Sequence, residues 1–493
     1  MSEDERKNTF LKKDIDAITK KDVSSRMREN QSFFEMIKSS ESANKVLKEW
    51  DLNLENKPIT FHGKVVDPGK IVGPDREVPA SDMSAFEKVQ SCSDDRKEVL
   101  AERTVIFCTR KDDDLCLTLT DLLGASLKQS HYRFSKPREV KVENTEWRTW
   151  EKAFRDNLNQ DVQLVILILP GKKKNSPLYE HVKRYFLSEM PIPTQVVLSE
   201  TIGDKKIKSI VHNILNQLSA KAGTTPWSIN QLPVDQPTMI AGIHEQSKGL
   251  KRVIGFSGSV NRKYSRYYST VKALNNPADR EEIISGIIRS AMLQFSNNPS
   301  KLFPTRLIIY REGLAEYYLK EMEVQTIKKT LERMYEDKIL NQLPHVFYII
   351  VNKRTDSKFF NADGANLVNP SGGTVVDSII TDPKEFYLVS QNTRPQVTAN
   401  PTLFKLTGAF GPSSDYGRFQ DYEGKDIDKI LQDLEVWTFK LCYLYYNWQG
   451  AIRMPAPLKY AEMLGNYICK LEKGGQLTLP HEDLENRKTL YFI

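Results

Sequence analysis

The sequence predicts an α/β protein: two successive sheet-and-helix domains behind a helical and extended linker. Short, unbroken apolar runs such as Thr104–Cys108 (TVIFC) and VQLVILILP read as strands buried on both faces. Amphipathic helical stretches separate those runs, as a parallel, Rossmann-like sheet covered on both sides requires. Near residue 236 the order changes to three strands joined by short turns, then a helix, then a further strand, which is the order of an RNase H-like sheet.

Residues 1–98 form the linker. DIDAITKKDVSSRMRENQSFFEMIKSSESANKVLKEW spaces its apolar residues three and four apart, so the first 50 residues read as helical. KPITFHGKVV reads as a short strand, and DPGK and GPDREVPASD as turns. Residues 99–235 make the first α/β domain. Strand TVIFC leads to helix LTLTDLLGASLKQS, a helix around Thr149–Leu158, strand VQLVILILP, helix LYEHVKRYFLSEM, strand QVVL and helix IKSIVHNILNQLSAK. Residues 236–493 make the second. Strands TMIAGI, RVIGFSGSV and YYSTVKAL precede helix EEIISGIIRSAMLQF, strand RLIIY, a helix over 315–335 and strand HVFYIIV.

Composition narrows the class. Of 493 residues 39% are hydrophobic and 27% charged, an ordinary globular mix, and the 71 basic and 64 acidic residues leave a net charge of +7. That excess suits a polyanion partner and is equally common in proteins without one. Cys92, Cys108, Cys116, Cys442 and Cys469 show no metal-binding spacing, which predicts reduced thiols and no zinc. The polar start MSEDERKNTFLKKD and the lack of any apolar run near 20 residues predict a soluble intracellular protein, cytoplasmic or nuclear, with no membrane partner. The run Lys172–Lys174 reads as a solvated basic loop.

One constellation lies between residues 179 and 221. Tyr179 and Lys183 share a helix face, as do Gln217 and Lys221, and Gln195 opens the strand between the two helices. Lysine supplies charge, glutamine neutral donors and tyrosine a flat ring, the set a terminal phosphate and its first base require. Solvated helix faces carry the same residues, and spacing alone does not separate the two readings. The stretch LYEHVKRYFLSEMPIPTQVV…TIGDKK…NQLSAKAGTTPW resembles the guide-anchoring Mid domain of the Argonaute family, Piwi branch. That resemblance implies that Tyr179, Lys183, Gln195, Gln217 and Lys221 hold the 5′ phosphate of a small guide RNA.

FYLVSQNTRPQVTANPTLFKL and YLYYNWQGAIRMPAPLKYAEML likewise resemble PIWI-domain signatures, and WDLNLENKPITFHGKVVDPGKI resembles the linker before Mid. The chain ends LYFI in the style of a PIWI terminus. The resemblance therefore implies that the Ile493 carboxylate, with Gln195, holds a divalent cation (Mg2+) at the guide's 5′ end. It also points to Arg453 and Lys459 as contacts for the guide backbone. Full-length members carry N and PAZ domains ahead of the linker, and residues 1–100 leave no room for them. Guide retention would then rest on the 5′ pocket and the backbone channel, with strong salt dependence.

A slicing member needs carboxylates to bridge two divalent ions. Where the family places its first aspartate, at the end of the first PIWI strand, this chain reads IAGIHEQSKG, with His244. The second position reads YREG, with Glu312, and the last ligand position reads PTLF, with Leu403. The remaining acid falls among Asp279, Glu281 and Glu282, and Glu245 is expected on the wrong face of its strand. The expectation is a guide-binding, silencing protein without a catalytic metal pair, not an enzyme, that pairs with complementary target RNA and recruits silencing effectors. A protein-interaction scaffold and a nuclease with a rebuilt metal site stand as alternatives.

Overall fold

A computed structural model covers the chain and describes all residues except 1–8, 56, 74–75, 83–97, 101–102, 130–132, 135, 172–175, 204–206, 298–300, 313–316, 364–365 and 415–416. The loop Lys172–Lys174 and Cys92 lie outside the described residues. Two compact units emerge: residues 1–67 with 352–404, and residues 68–351 with 405–493.

The larger unit holds a parallel sheet and the central strands of a longer mixed one. Strands β1 (Thr104–Thr109), β2 (Arg138–Val142), β3 (Leu164–Leu169) and β4 (Thr194–Leu198) form a sheet in the order β2-β1-β3-β4, parallel at every pairing. Alternate residues of each strand serve opposite faces. Ile106, Cys108, Ile166 and Ile168 pack against helices α1 (Asp113–Gln129) and α4 (Ile207–Lys221). Phe107, Val165 and Leu167 pack against α2 (Trp147–Asn157) and α3 (Pro177–Ser188). The β2 strand escapes sequence reading because REVKV lies at the sheet edge, with one neighbour and largely solvated side chains, and so carries no apolar run.

The second sheet includes the run β7-β6-β5-β8-β9, from Tyr267–Ala273, Lys251–Ser259, Thr238–Lys248, Arg306–Glu312 and His345–Asn352 respectively, and continues past β9 into strand Thr402–Pro412. The pairs β5–β6 and β6–β7 are antiparallel, and β5–β8 and β8–β9 parallel, which is the RNase H-like arrangement. One face is sealed by α5 (Arg280–Ser296) and α6 (Tyr317–Glu336) over Met239, Ala241, Ile243, Leu307 and Ile309. On the other face, helices α7 (Lys425–Leu441) and α8 (Ala456–Lys470) follow in sequence. Glycines let α8 lie directly on the strands: a Cβ at Gly242 would stand 2.3 Å from the Leu458 backbone, and one at Gly255 2.6 Å from the Ala461 carbonyl. Against the sequence expectation, β5 does not end near position 244. Its hairpin with β6 continues in register to Lys248, because the polar tail HEQSK finds backbone partners there.

The smaller unit carries helices Thr9–Thr19, Val23–Ser39 and Glu41–Glu49, the latter two capped by Asp22 and Ser40. The expected strand KPITFHGKVV shortens to Lys64–Val65, paired with Thr374–Val375. A small apolar cluster of Phe359, Val376, Val389 and Ala399 holds this unit together. Among the described residues no helix is long and apolar enough to cross a membrane.

Candidate functional site

The parallel sheet brings the predicted phosphate-binding residues together at the start of β4. Helices α3 and α4 cover opposite faces of the sheet, and each delivers a lysine to this edge strand. The Lys183 ammonium donates to the Thr194 carbonyl at 3.2 Å and to its hydroxyl at 2.8 Å. Lys221 donates to the Gln195 amide oxygen at 2.6 Å. Gln195 in turn donates to Gln217 Oε1 at 2.8 Å, and Gln217 to Asn447 Oδ1 at 2.7 Å. Lys183, Gln195 and Lys221 are only 6%, 4% and 3% exposed, an unusual depth for ammonium groups.

Tyr179 stands beside this cluster, its ring centre 5.9 Å from the Lys183 ammonium, and Tyr467 of α8 offers a second ring at the same distance. Burial pushes both phenols above their ordinary values, so each remains a neutral hydroxyl at physiological pH. The C-terminal turn docks against α4: the Leu490 N–H donates to the Ala220 carbonyl, next to Lys221, and Tyr491 and Phe492 are buried. Ile493 thus ends the chain half-buried in that docked turn. Arg453 is half-buried, and burial holds its guanidinium below the ordinary value. Lys459 pairs with Glu462 on its own helix at 3.1 Å.

Sequence reasoning missed Thr194, Asn447 and Tyr467. Thr194 and Asn447 lie inside quoted segments (PTQVV and YNW) and Tyr467 just beyond KYAEML, yet no local pattern ties Asn447 to a residue 230 positions earlier.

The second constellation divides along β5. His244 faces α8, where its ring lies 3.8 Å from the position of a Cβ at Gly465, and its Nδ1 stands 2.5 Å from Glu312 Oε2. The parallel register, Ile243 opposite Arg311, makes His244 and Glu312 next neighbours on that face. Glu245 points the other way. It bonds Arg280 at 2.7 Å and approaches Arg311 at 3.5 Å. Glu323 receives Arg311 through both Nε and Nη2, at 3.0 and 3.1 Å, and the Tyr348 hydroxyl at 2.5 Å. Burial opposes ionisation of Glu245, but the Arg280 hydrogen bond and the charges of Arg280 and Arg311 hold its carboxyl below the ordinary value. Asp279, Glu281 and Glu282 are exposed at the start of α5. Leu403 lies half-buried on strand Thr402–Pro412 and has no donor atom for a metal. No group of three His, Cys, Asp or Glu side chains could hold a metal ion among the described residues.

A parallel sheet followed by an RNase H-like sheet is the arrangement of an Argonaute Mid–PIWI lobe, and comparison with known proteins agrees on the fold. The Piwi domain family model matches residues 164–471, and the chain belongs to the Piwi family. It is 29% identical to the protein argonaute-3 of Drosophila melanogaster over 94% of this chain and 51% of that one. It is 26% identical to the protein piwi of the same fly over 99% and 55%, so it spans about half the length of these relatives. The crystal structure of Drosophila Piwi aligns with a TM-score of 0.81 at 26% identity, over 98% of this chain and 64% of that chain. The C-terminal lobe of a budding yeast Argonaute shares the fold at a TM-score of 0.66 and 14% identity, over 87% of this chain and 95% of that one. So does Kluyveromyces polysporus Argonaute with a guide RNA, at 0.71 and 15%, over 99% and 62%.

Proposed function

We propose that this chain binds the 5′-phosphorylated end of a small guide RNA and acts in RNA-guided silencing without cutting the target. The observation that carries the proposal is the burial of two ammonium groups and the Gln195 amide at one point, the start of β4. Burying an ammonium costs several kcal/mol unless charge or hydrogen bonds offset it, on the order of what a bound phosphate returns. Tyr179, Lys183, Gln195, Gln217 and Lys221 then face the phosphate and first base, while Arg453 and Lys459 contact the backbone behind. Kluyveromyces polysporus Argonaute, which shares the fold, carries a guide RNA in its structure. Target RNA would be read by pairing with the guide, and effector proteins recruited to the complex.

A Mg2+ ion at the guide's 5′ end belongs to the same proposal. The Ile493 carboxylate and the second lone pair of the Gln195 amide oxygen, whose first accepts from Lys221, are hard oxygen donors of the kind it takes. The docking of the C-terminal turn beside Lys221 supports that placement. Bound there, the ion would neutralise phosphate charge.

The second constellation supports the non-cutting part of this reading. His244 and Glu312 are in direct contact, leaving no space between them for an ion. Glu245 and Glu323 are committed to arginines on the opposite face. The test is to purify the chain, extract its nucleic acid and sequence it. Short RNAs of uniform 5′-phosphorylated chemistry are expected, with no cut in a complementary target in Mg2+ or Mn2+. A preparation free of RNA but holding stable protein partners would favour the scaffold reading, and a metal-dependent cut opposite the guide the rebuilt nuclease.

A further inference from the structure

Asn447 reaches the pocket from the turn that follows α7. Buried rings hold that turn in place: the Tyr446 N–H donates to the Tyr460 hydroxyl at 3.0 Å, and the Tyr446 hydroxyl to the Trp227 carbonyl at 3.1 Å. The hydrogen bonds leading from Asn447 into the pocket run in one direction only. A lysine ammonium has donors and no acceptor, so Gln195 must turn its oxygen toward Lys221. Its nitrogen is then left to donate to Gln217 Oε1, and the Gln217 nitrogen to Asn447 Oδ1. The Asn447 nitrogen faces the Tyr445 hydroxyl at 3.4 Å. Amide orientation is usually ambiguous from shape alone, and here the lysine at one end decides every link. Reversing any one amide would set oxygen against oxygen or N–H against N–H.

That polarity bears on phosphate. An anion tolerates N–H groups and ammonium hydrogens at its surface and is repelled by amide oxygens. If the Gln195 amide turned over, it would present its oxygen where it now presents N–H, and Lys221 would lose the Gln195 oxygen as an acceptor. Asn447 opposes that rotation from the far end of the chain of amides, without needing to touch the phosphate. Because it lies on the second sheet's side of the sequence and Gln217 on the first's, it also ties the pocket to the RNase H-like domain.

We infer that Asn447 is a positioning residue for the guide-phosphate pocket, acting through Gln217 to fix the orientation of both glutamine amides; this rests on the functional reading above. The experiment uses the full chain and one single-stranded RNA sequence carrying either a 5′ phosphate or a 5′ hydroxyl, with binding read by fluorescence anisotropy. In Asn447→Leu the preference for the phosphate form should fall about fivefold, the weight of one hydrogen bond, while affinity for the hydroxyl form holds. In a Gln217→Leu background the same substitution should add nothing, because the link it acts through is already gone. Asn447→Ala replaces the leucine variant should that one not fold.

Equal weakening of both RNAs would make Asn447 merely structural and overturn the inference. So would an undiminished preference in the single variant, or additive losses in the double. A wild-type chain that does not distinguish the two RNAs would instead sink the pocket reading itself, and this inference with it.

Discussion

Replacing Lys183 with methionine separates a phosphate ligand from a structural lysine. Methionine keeps most of the stem's volume and flexibility and removes the charge. The side chain is 6% exposed, and its ammonium donates to the Thr194 hydroxyl and carbonyl at 2.8 and 3.2 Å. In the RNA-free protein its removal costs the hydrogen bonds to Thr194 but relieves the burial of a charge, so unfolding temperature should hold or rise. In the complex it removes a charge-assisted bond to phosphate, about 1.5–3 kcal/mol. At about 1.4 kcal/mol per tenfold, affinity for 5′-phosphorylated RNA should fall between about tenfold and about a hundredfold. Titration of the two RNA forms at fixed salt, with a parallel thermal melt, reads both effects. A melt lowered by many degrees with equal losses for both RNAs would show that Lys183 holds the fold, not the guide.

Two further outcomes follow from the geometry. Gly242→Ala should destabilise by about 3 kcal/mol, since its Cβ would meet the Leu458 backbone at 2.3 Å and the helix must lift. Gly286→Ala, on α5 with nothing within 4 Å, should stabilise by up to about 1 kcal/mol, and chemical denaturation of both variants checks the contrast. Glu245 has a folded-state pKa depressed below 4.5, so its contribution is present above that value and is lost as pH falls through the lower, folded one. The stability gap between wild type and Glu245→Gln, followed by melts across that acid range, should therefore close on acidification. A gap that widened would reverse the sign assigned to this carboxyl.

The parts of the fold legible in sequence are those where burial on both faces leaves an unbroken apolar run. TVIFC and LVILIL are such strands, and every residue in them is buried. REVKV was not legible, because an edge strand needs few apolar residues. The polar half of β5 was missed for a related reason: backbone pairing, not side-chain burial, carries it to Lys248. In the pocket, helical spacing correctly put Tyr179 with Lys183 and Gln217 with Lys221, yet nothing local showed that the two helices deliver their lysines to one edge strand from opposite faces. That convergence is tertiary, and only the family resemblance anticipated it. Asn447 shows the limit of both approaches: its chemistry is an amide like any other until the fold sets it against Gln217.

The alternation of β5 bears on the proposed absence of slicing, and it supplies a test of the rebuilt-nuclease alternative. His244 and Glu245 are consecutive, so the strand sends one under α8 and the other into the buried arginine network. Changes at 244 and 312 therefore leave the Glu245–Arg280–Arg311–Glu323 ion pairs untouched. His244→Asp with Glu312→Asp should fold, but with two carboxylates side by side where a histidine now meets a glutamate. Without a cation these repel, which raises one pKa and lowers the melt in chelator. Mg2+ or Mn2+ should restore the melt by binding between them, while the wild-type melt should not respond at those positions. If wild type gained the same metal-dependent stability, and His244→Ala abolished it, the His244–Glu312 contact would itself be a metal site, and the silent-slicer reading would give way to the nuclease.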